Sequence, residues 1–377
     1  MKKLAILTLV LLLLVGCTQP AKDEKFTAST LDAGFDTFIS LVGYTTSQEK
    51  FNEYFDFMKS ELNYYHKLYD KYHNYDGINN IKTINDNAGV APVEVEKPLI
   101  DMLVLAKKYN EITDGYFNIT MGATMRIWHQ YRENGMEANS IQNFAPPVPT
   151  IEELTASFQY SGWDNVVLDE ENNTVFITNP NISIDVGGIA KGYAIELVAL
   201  TLEENGLVSG AINGGGNVRI IGSKPDGTGW TIGVTNPDNP NGESVSTFVN
   251  EQGTRSYVTS GDYQRFFMSN GIRYGHLINP KTLFPATHCR SVTVVTKDSG
   301  LADILSTALF VMGYEQGEQF VKEYNSKYPD DQIGALWVFE EDQVPETVGT
   351  VLEINGFFVV VSGSVINEVK QFEELIK

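Results

Sequence analysis

The chain has 377 residues, with 27 lysines and arginines against 48 acidic residues and a net charge of −21. That balance argues against nucleic acid as a partner and against a basic membrane-binding face. It also sets a condition on any phosphate-bearing ligand, whose pocket must be made locally positive by backbone dipoles, a lysine or a metal ion.

Lys2 and Lys3 precede an apolar run, Leu4 to Val15. The run is too short to cross a bilayer as a helix and reads as the hydrophobic region of a signal peptide. It ends in Leu14-Val15-Gly16-Cys17, which resembles a bacterial lipobox. On this reading residues 1–17 are a lipoprotein signal peptide and Cys17 is the lipidated first residue of the mature protein. Residues 18–34 are a flexible tether, and residues 35–377 are the folded unit. The expected location is the extracytoplasmic face of the bacterial cell membrane, held by a lipid anchor. With Cys17 acylated, Cys289 has no intramolecular partner, and it is expected as a small buried hydrophobe.

Phe35 to Tyr44, rich in β-branched and aromatic residues, is expected as the opening strand. Thr46 and Glu49 have capping-box spacing, and Phe51, Tyr54, Phe55, Met58, Leu62, Tyr65 and Leu68 then recur at helical intervals. Tyr72 to Asn85 reads as a loop and a short turn. Pro98 fits the first turn of a helix that stops near Gly115. Asn134 to Thr150 is polar and proline-bearing, a loop, before Thr150 and Glu153 start a short helix. "NVVLDEENNTVFIT" reads as a hairpin and "ISID" as a strand. A helix follows from Ala190 to near Gly206. Strand, glycine loop, strand, turn and strand come next, from Val208 to Val234. A last helix starts near Leu301, and a hairpin turns at Asn355-Gly356. The pattern predicts an α+β (mixed α/β) fold, with helices packed on largely antiparallel sheets.

Four stretches carry candidate chemistry. "SIDVGGIAKGYAIE" places Asp185, Gly187, Gly188 and Lys191 at a helix start, where free backbone N–H groups can face an anion. A tight turn with a solvated lysine explains the same residues. "AINGGGNVRIIG" offers Gly214, Gly215 and Gly216 for close approach of a ligand and Asn217 to hydrogen-bond it, although a bulge would also use those glycines. "TSGDYQRFF" and "GHLINP" supply a polar turn at Ser260, Gly261 and Asp262, and His276. In "SGLADILSTALFVMG", Asp303 and Thr307 stand four apart and share a helix face. A carboxylate and a hydroxyl so placed suit Mg²⁺, which takes oxygen ligands; a first-turn charge beside a packed threonine is the plainer alternative.

Together and in this order, "DVGGIAKGYA", "NGGGNVRIIGSKPDG", "TSGDYQRFF", "GIRYGHLINPKT" and "VTVVTKDSGLADILSTALFVMG" resemble the blocks of the FAD:protein FMN transferase (ApbE) family. The resemblance runs from about Phe35 to the C-terminus and includes "ITDGYFNITMG". It implies a T-fold-like single catalytic unit. It also implies a Mg²⁺-dependent enzyme that cleaves the pyrophosphate of FAD, attaches FMN through a phosphoester to a serine or threonine of a partner flavoprotein, and releases AMP. By the same resemblance the carbonyl of Gly188, with Asp303 and Thr307, would hold the metal. Phe35, Asp36, Thr37, Tyr116, Phe117, Asn118, Asp185, Lys191 and Leu277 would contact FAD. His276 is the candidate base for the acceptor hydroxyl, since an unperturbed imidazole titrates near neutrality. The chain departs from the family pattern at Asn118 (commonly Asp), Phe35 (commonly Met), Gly188 (often Ala or Thr) and Asn279 (commonly Asp).

Two other functions share this site. A Mg²⁺-dependent FAD pyrophosphatase would give free FMN and AMP. A non-catalytic flavin-binding lipoprotein would retain FAD and release no AMP.

Overall fold

The computed structural model describes residues 23–140, 145–346, 348–363 and 365–372. The apolar run and Cys17 lie outside the described residues. The architecture is the expected mixture of helices and antiparallel sheet. Its backbone is a nine-stranded sheet in the order β1 (Glu24–Thr30), β2 (Ile39–Thr45), β6 (Gly210–Gly214), β7 (Asn217–Ile221), β10 (Arg255–Gly261), β13 (Ser291–Thr296), β14 (Gly334–Phe339), β16 (Phe357–Val361), β15 (Val351–Ile354). Every neighbouring pair is antiparallel. Smaller sheets join β3 (Val93–Glu94), β5 (Thr174–Ile177) and β4 (Val166–Asp169); β8 (Trp230–Val234) and β9 (Ser246–Asn250); and β11 (Phe267–Ser269) and β12 (Ile272–Tyr274). The α-helices are α1 (Gln48–Tyr69), α2 (Ile81–Asp86), α3 (Lys97–Ile112), α4 (Gly122–Asn139), α5 (Ile151–Phe158), α6 (Ala190–Glu204), α7 (Ser299–Met312) and α8 (Tyr314–Lys327).

The centre of the main sheet is buried on both faces, and its strands alternate between two cores. In β14, Ala335, Trp337 and Phe339 join the helix-side core, while Leu336 and Val338 face the core under β8 and β9. This period of two explains why β13 and β14 are buried throughout. Each fully buried Val or Phe contributes roughly 1.5–3 kcal/mol. On the helix side α6 packs against α1 and α7, and α7 lies on β10 and β13. A third cluster, Met121, Trp128, Leu154, Phe267, Ile278 and Leu283, joins α4, α5 and β11. Cys289 is fully buried, as expected of a small hydrophobe.

Several expectations change. The stretch 18–34, expected as a tether, contains β1, paired along its full length with β2. Phe26, Ala28 and Thr30 alternate with exposed neighbours, and Phe26 meets Phe51 at 5.7 Å between ring centroids. The strand that follows begins at Ile39, because Gly34, Phe35 and Asp36 all have positive φ and form a turn. The cap of α1 is Ser47, which accepts from Lys50 N at 3.2 Å, one residue beyond the expected Thr46. Asn80 and Thr83 form a reciprocal capping box that starts α2 where only a turn was expected. α4 runs through Asn134-Gly135, expected as loop, because Gly135 is where Phe267 seats: a Cβ there would lie 2.5 Å from the ring. "ISID" forms no strand; Ser183 makes a single parallel bridge to Met121. Ser260 and Gly261 end β10 and are not a free turn.

Candidate functional site

One cleft of about 640 Å³ is lined by Phe35, Asp36, Thr37, Tyr116, Phe117, Asn118, Asp185, Gly188, Lys191, His276, Leu277, Asp303 and Thr307. These are all the residues given ligand or catalytic roles from the sequence, apart from the lipidation site Cys17. They come from the turn before β2, the loops before α4 and α6, the start of α6, the segment after β12, and α7.

The oxygen-rich end is built by the contact between α6 and α7. Gly192, in the first turn of α6, lets the two helices meet; a Cβ there would lie 2.5 Å from Asp303 Cβ and overlap the Ser299 carbonyl. Its N–H donates to Asp303 Oδ2 at 2.8 Å. Burial pushes the Asp303 carboxyl above its ordinary value, against the pull of Lys191 and that N–H. One helical turn on, the Thr307 hydroxyl faces Gly188; a Cβ added at Gly188 would lie 3.2 Å from Thr307 Oγ1. The Asp303 carboxylate and Thr307 hydroxyl, with the Gly188 carbonyl if it turns toward them, would make an all-oxygen donor set of the kind Mg²⁺ takes. No cluster of three or more His, Cys, Asp or Glu side chains able to hold a metal occurs among the described residues.

Lys191 lines the cleft, and its ammonium is also tied into the fold. Its ammonium donates to Gly214 O and Gly215 O, each at 3.1 Å, and to Asn217 Oδ1 at 2.6 Å. Three donors meet three acceptors, so Lys191 clamps the β6–β7 turn, and only its charge is left for a ligand. Burial lowers its pKa, Asp303 works in the opposite direction, and Arg265 adds to the lowering. Asn217, expected to hydrogen-bond a ligand, lines the cleft with little exposure, and its amide oxygen accepts from Lys191. The turn itself needs glycine at 215, with φ +56°, where a Cβ would overlap Thr37 Oγ1.

The opposite wall contains the strained turn. Phe35 N donates to His66 Nδ1 at 3.1 Å, which helps hold two consecutive non-glycine residues in the left-handed region. Asn118 Oδ1 accepts from Thr120 N at 2.9 Å and from its hydroxyl at 2.8 Å. Tyr116 donates to Gln316 Oε1 at 2.7 Å. Asp185 forms a buried ion pair with Lys71 and accepts from Gly187 N at 3.0 Å. Burial opposes its charge, but the Lys71 ammonium and these bonds hold its pKa below the ordinary value.

The sequence reading missed Lys71, His129, Arg132 and Arg265, which also line the cleft. Met125, His129 and Arg132 fall four and three apart on α4, and that spacing was the signal available. Lys71 and Tyr72 are delivered by a loop tied to Asp70, which accepts from Tyr72 N at 2.6 Å and Tyr75 Oη at 2.8 Å. His276 does not titrate near neutrality in this environment. Burial, then the charges of Arg132 and Arg265, push it down to about 3.

A family model described as the ApbE family matches residues 35–329. An FAD:protein FMN transferase from Vibrio cholerae is 30% identical over 309 residues, covering 81% of this chain and 86% of the relative. One from Klebsiella pneumoniae is 32% identical over 239 residues, 63% of this chain and 69% of the relative. Among solved structures, an ApbE protein from Thermotoga maritima superposes with a TM-score of 0.72 at 26% identity, covering 92% of this chain and 99% of that one.

Proposed function

This chain belongs to the ApbE family, and on that footing we propose that it transfers the FMN half of FAD to a partner protein. The finer reading is Mg²⁺-dependent transfer to a serine or threonine hydroxyl of a flavoprotein, with release of AMP. The observation that carries it is the convergence of five distant segments on one cleft, with oxygen donors and a half-buried imidazole held in its neutral form in its wall.

Asp303, Thr307 and the Gly188 carbonyl would hold Mg²⁺, which when bound supplies charge neutralisation on the diphosphate and a fixed template. The acceptor oxygen forms a bond to the FMN-side phosphorus. The bond from that phosphorus to the bridging oxygen breaks, and AMP leaves with that oxygen. His276 takes the hydroxyl proton. Its environment keeps it neutral throughout the neutral range, so the proton-accepting form is always present. A diphosphate beside it offsets the two arginines and raises its basicity. Phe35 and the Tyr116–Asn118 segment supply aromatic and amide surface for the flavin ring.

The Leu4–Cys17 pattern supports a lipid anchor at Cys17 on the extracytoplasmic face of the bacterial cell membrane, within reach of exported or membrane-bound acceptors. No helix among the described residues is long and apolar enough to cross a membrane.

The test incubates the protein with FAD, Mg²⁺ and a candidate acceptor, followed by mass spectrometry of the acceptor and chromatography of the nucleotides. An FMN-sized adduct with matching AMP is expected. Free FMN and AMP with no adduct would make the protein a pyrophosphatase, and FAD retained intact would make it a binder.

A further inference from the structure

We propose that Arg132 and Arg265 form an anion site that grips the FMN-side phosphate of FAD at the His276 end of the cleft. The proposal rests on the flavin-transfer reading and adds to it two residues and the ligand atom they hold.

Charge pairing sets these two arginines apart. The chain carries far more acids than bases, and two other buried guanidiniums are neutralised. Arg219 is held by both oxygens of Glu196 at 2.8 Å. Arg290 is held by Asp262 at 2.9 Å, Asp238 at 3.1 Å and Glu340. Arg132 is different. Its side chain is only 13% exposed, and the one carboxylate within 4 Å among the described residues is its neighbour Glu133, at 3.9 Å. Arg265 has no ion-pair partner within 4 Å among the described residues, although both arginines line the cleft. A largely buried cation such as Arg132, whose nearest carboxylate is at the edge of contact, is poorly compensated for its desolvation. In a chain so rich in carboxylates, that arrangement points to an anion supplied from outside.

The geometry also orients the pair. Arg132 Nη2 donates to His129 Nδ1 at 2.7 Å, which fixes the guanidinium and leaves its remaining donors for a ligand. Arg132 and Arg265 both act electrostatically on His276, and Arg265 also acts on Lys191. The pair therefore lies on the side where the acceptor hydroxyl meets its base. The phosphorus attacked by that hydroxyl must be the one beside it, and it belongs to the FMN half. Arginine suits this place, since its planar fork matches phosphate oxygens two at a time.

Riboflavin and FMN differ only by that phosphate, so they are the probes. Binding of each is measured to the full chain with EDTA present, for the parent and for Arg132→Gln, Arg265→Gln and the double variant. Each single change is expected to weaken FMN about tenfold, as for loss of a charge-assisted hydrogen bond. Riboflavin should stay within about twofold of the parent value, since it lacks the group concerned. The salt dependence of FMN binding should flatten in the double variant. Unchanged FMN affinity overturns the proposal, as does equal weakening of both flavins, which would mark the arginines as shaping the pocket. Arg265 is exposed, so its variant tests the idea even if Arg132→Gln folds poorly. A parent that binds neither flavin would instead remove the flavin reading on which the proposal rests.

Discussion

Replacing Lys191 by methionine separates two roles for this residue. If Lys191 served only to neutralise a bound diphosphate, removing a buried ammonium would leave the ligand-free protein as stable as before, or more so. The structure gives it a job in the fold itself. Its three donors satisfy Gly214 O, Gly215 O and Asn217 Oδ1, and its charge faces the buried Asp303. Hydrogen bonds to a charged group contribute about 1.5–3 kcal/mol each, and a stranded buried acceptor costs about 1–3 kcal/mol. Relief of ammonium desolvation offsets part of the loss. Methionine keeps most of the volume, so cavity terms stay small. The expected net loss is about 3 kcal/mol, the low end of the range for removing one partner of a buried ionic cluster. Urea unfolding of the ligand-free protein at pH 7.5 measures it. A Lys191→Met protein within about 0.5 kcal/mol of the parent that has nonetheless lost FAD affinity would refute the clamp and restore direct ligand contact.

Asp303→Ala should abolish AMP formation from FAD and also remove the rise in melting temperature that FAD with Mg²⁺ gives the parent; an undiminished rise would place the metal elsewhere. His276 binds fewer protons folded than unfolded between about pH 3 and its ordinary value of 6.5, so its contribution to stability falls as pH drops through that window. Between pH 7.5 and pH 5 the loss amounts to about 2 kcal/mol, and His276→Gln should lack that component of the acid slope. Gly192→Ala forces its Cβ against Asp303 Cβ and the Ser299 carbonyl, and should cost about 1–3 kcal/mol and most of the transfer activity. Gly188→Ala meets its neighbours at 3.2 Å and should cost far less, which differential scanning fluorimetry and AMP release would show side by side.

The residues legible in the sequence were those whose signal is local. The acid, glycines and lysine of Asp185 to Lys191 mark a helix start by themselves, and Asp303 and Thr307 share a face by spacing alone. The Asn355-Gly356 hairpin and the Thr150 cap came from turn and cap chemistry and were found where expected. What was missed depended on partners far along the chain. Gly192 looks like an ordinary helix residue until α7, more than a hundred positions later, is placed against it. Gly135 seems to break a helix until Phe267 fills the space above it. α4 begins without a side-chain cap, the signal that marked other helices, and with it His129 and Arg132 went unread. β1 was lost because a polar alternating strand resembles a tether until β2 pairs with it. The ordinary pKa of His276 was assumed from the residue type, whereas its burial and two arginines set the actual value.

The charge problem posed by the composition has a spatial answer. A chain with a net charge of −21 cannot make a phosphate site by adding cations at random, since nearby carboxylates would claim them. Here each cleft cation is handled separately. Lys71 is claimed by Asp185, and the pair holds the loop before α6 in place. Lys191 is surrounded by neutral acceptors, which orient the ammonium without cancelling its charge. Arg132 is oriented by a neutral imidazole, again without a close counter-charge. Neutral partners thus fix the geometry while leaving the field intact. Close carboxylates go instead to Lys71, Arg219 and Arg290, where the pairs hold the fold. The buried acid that acts on Lys191 is Asp303, and a divalent cation bound there would cancel its charge and leave the whole wall attractive to a diphosphate.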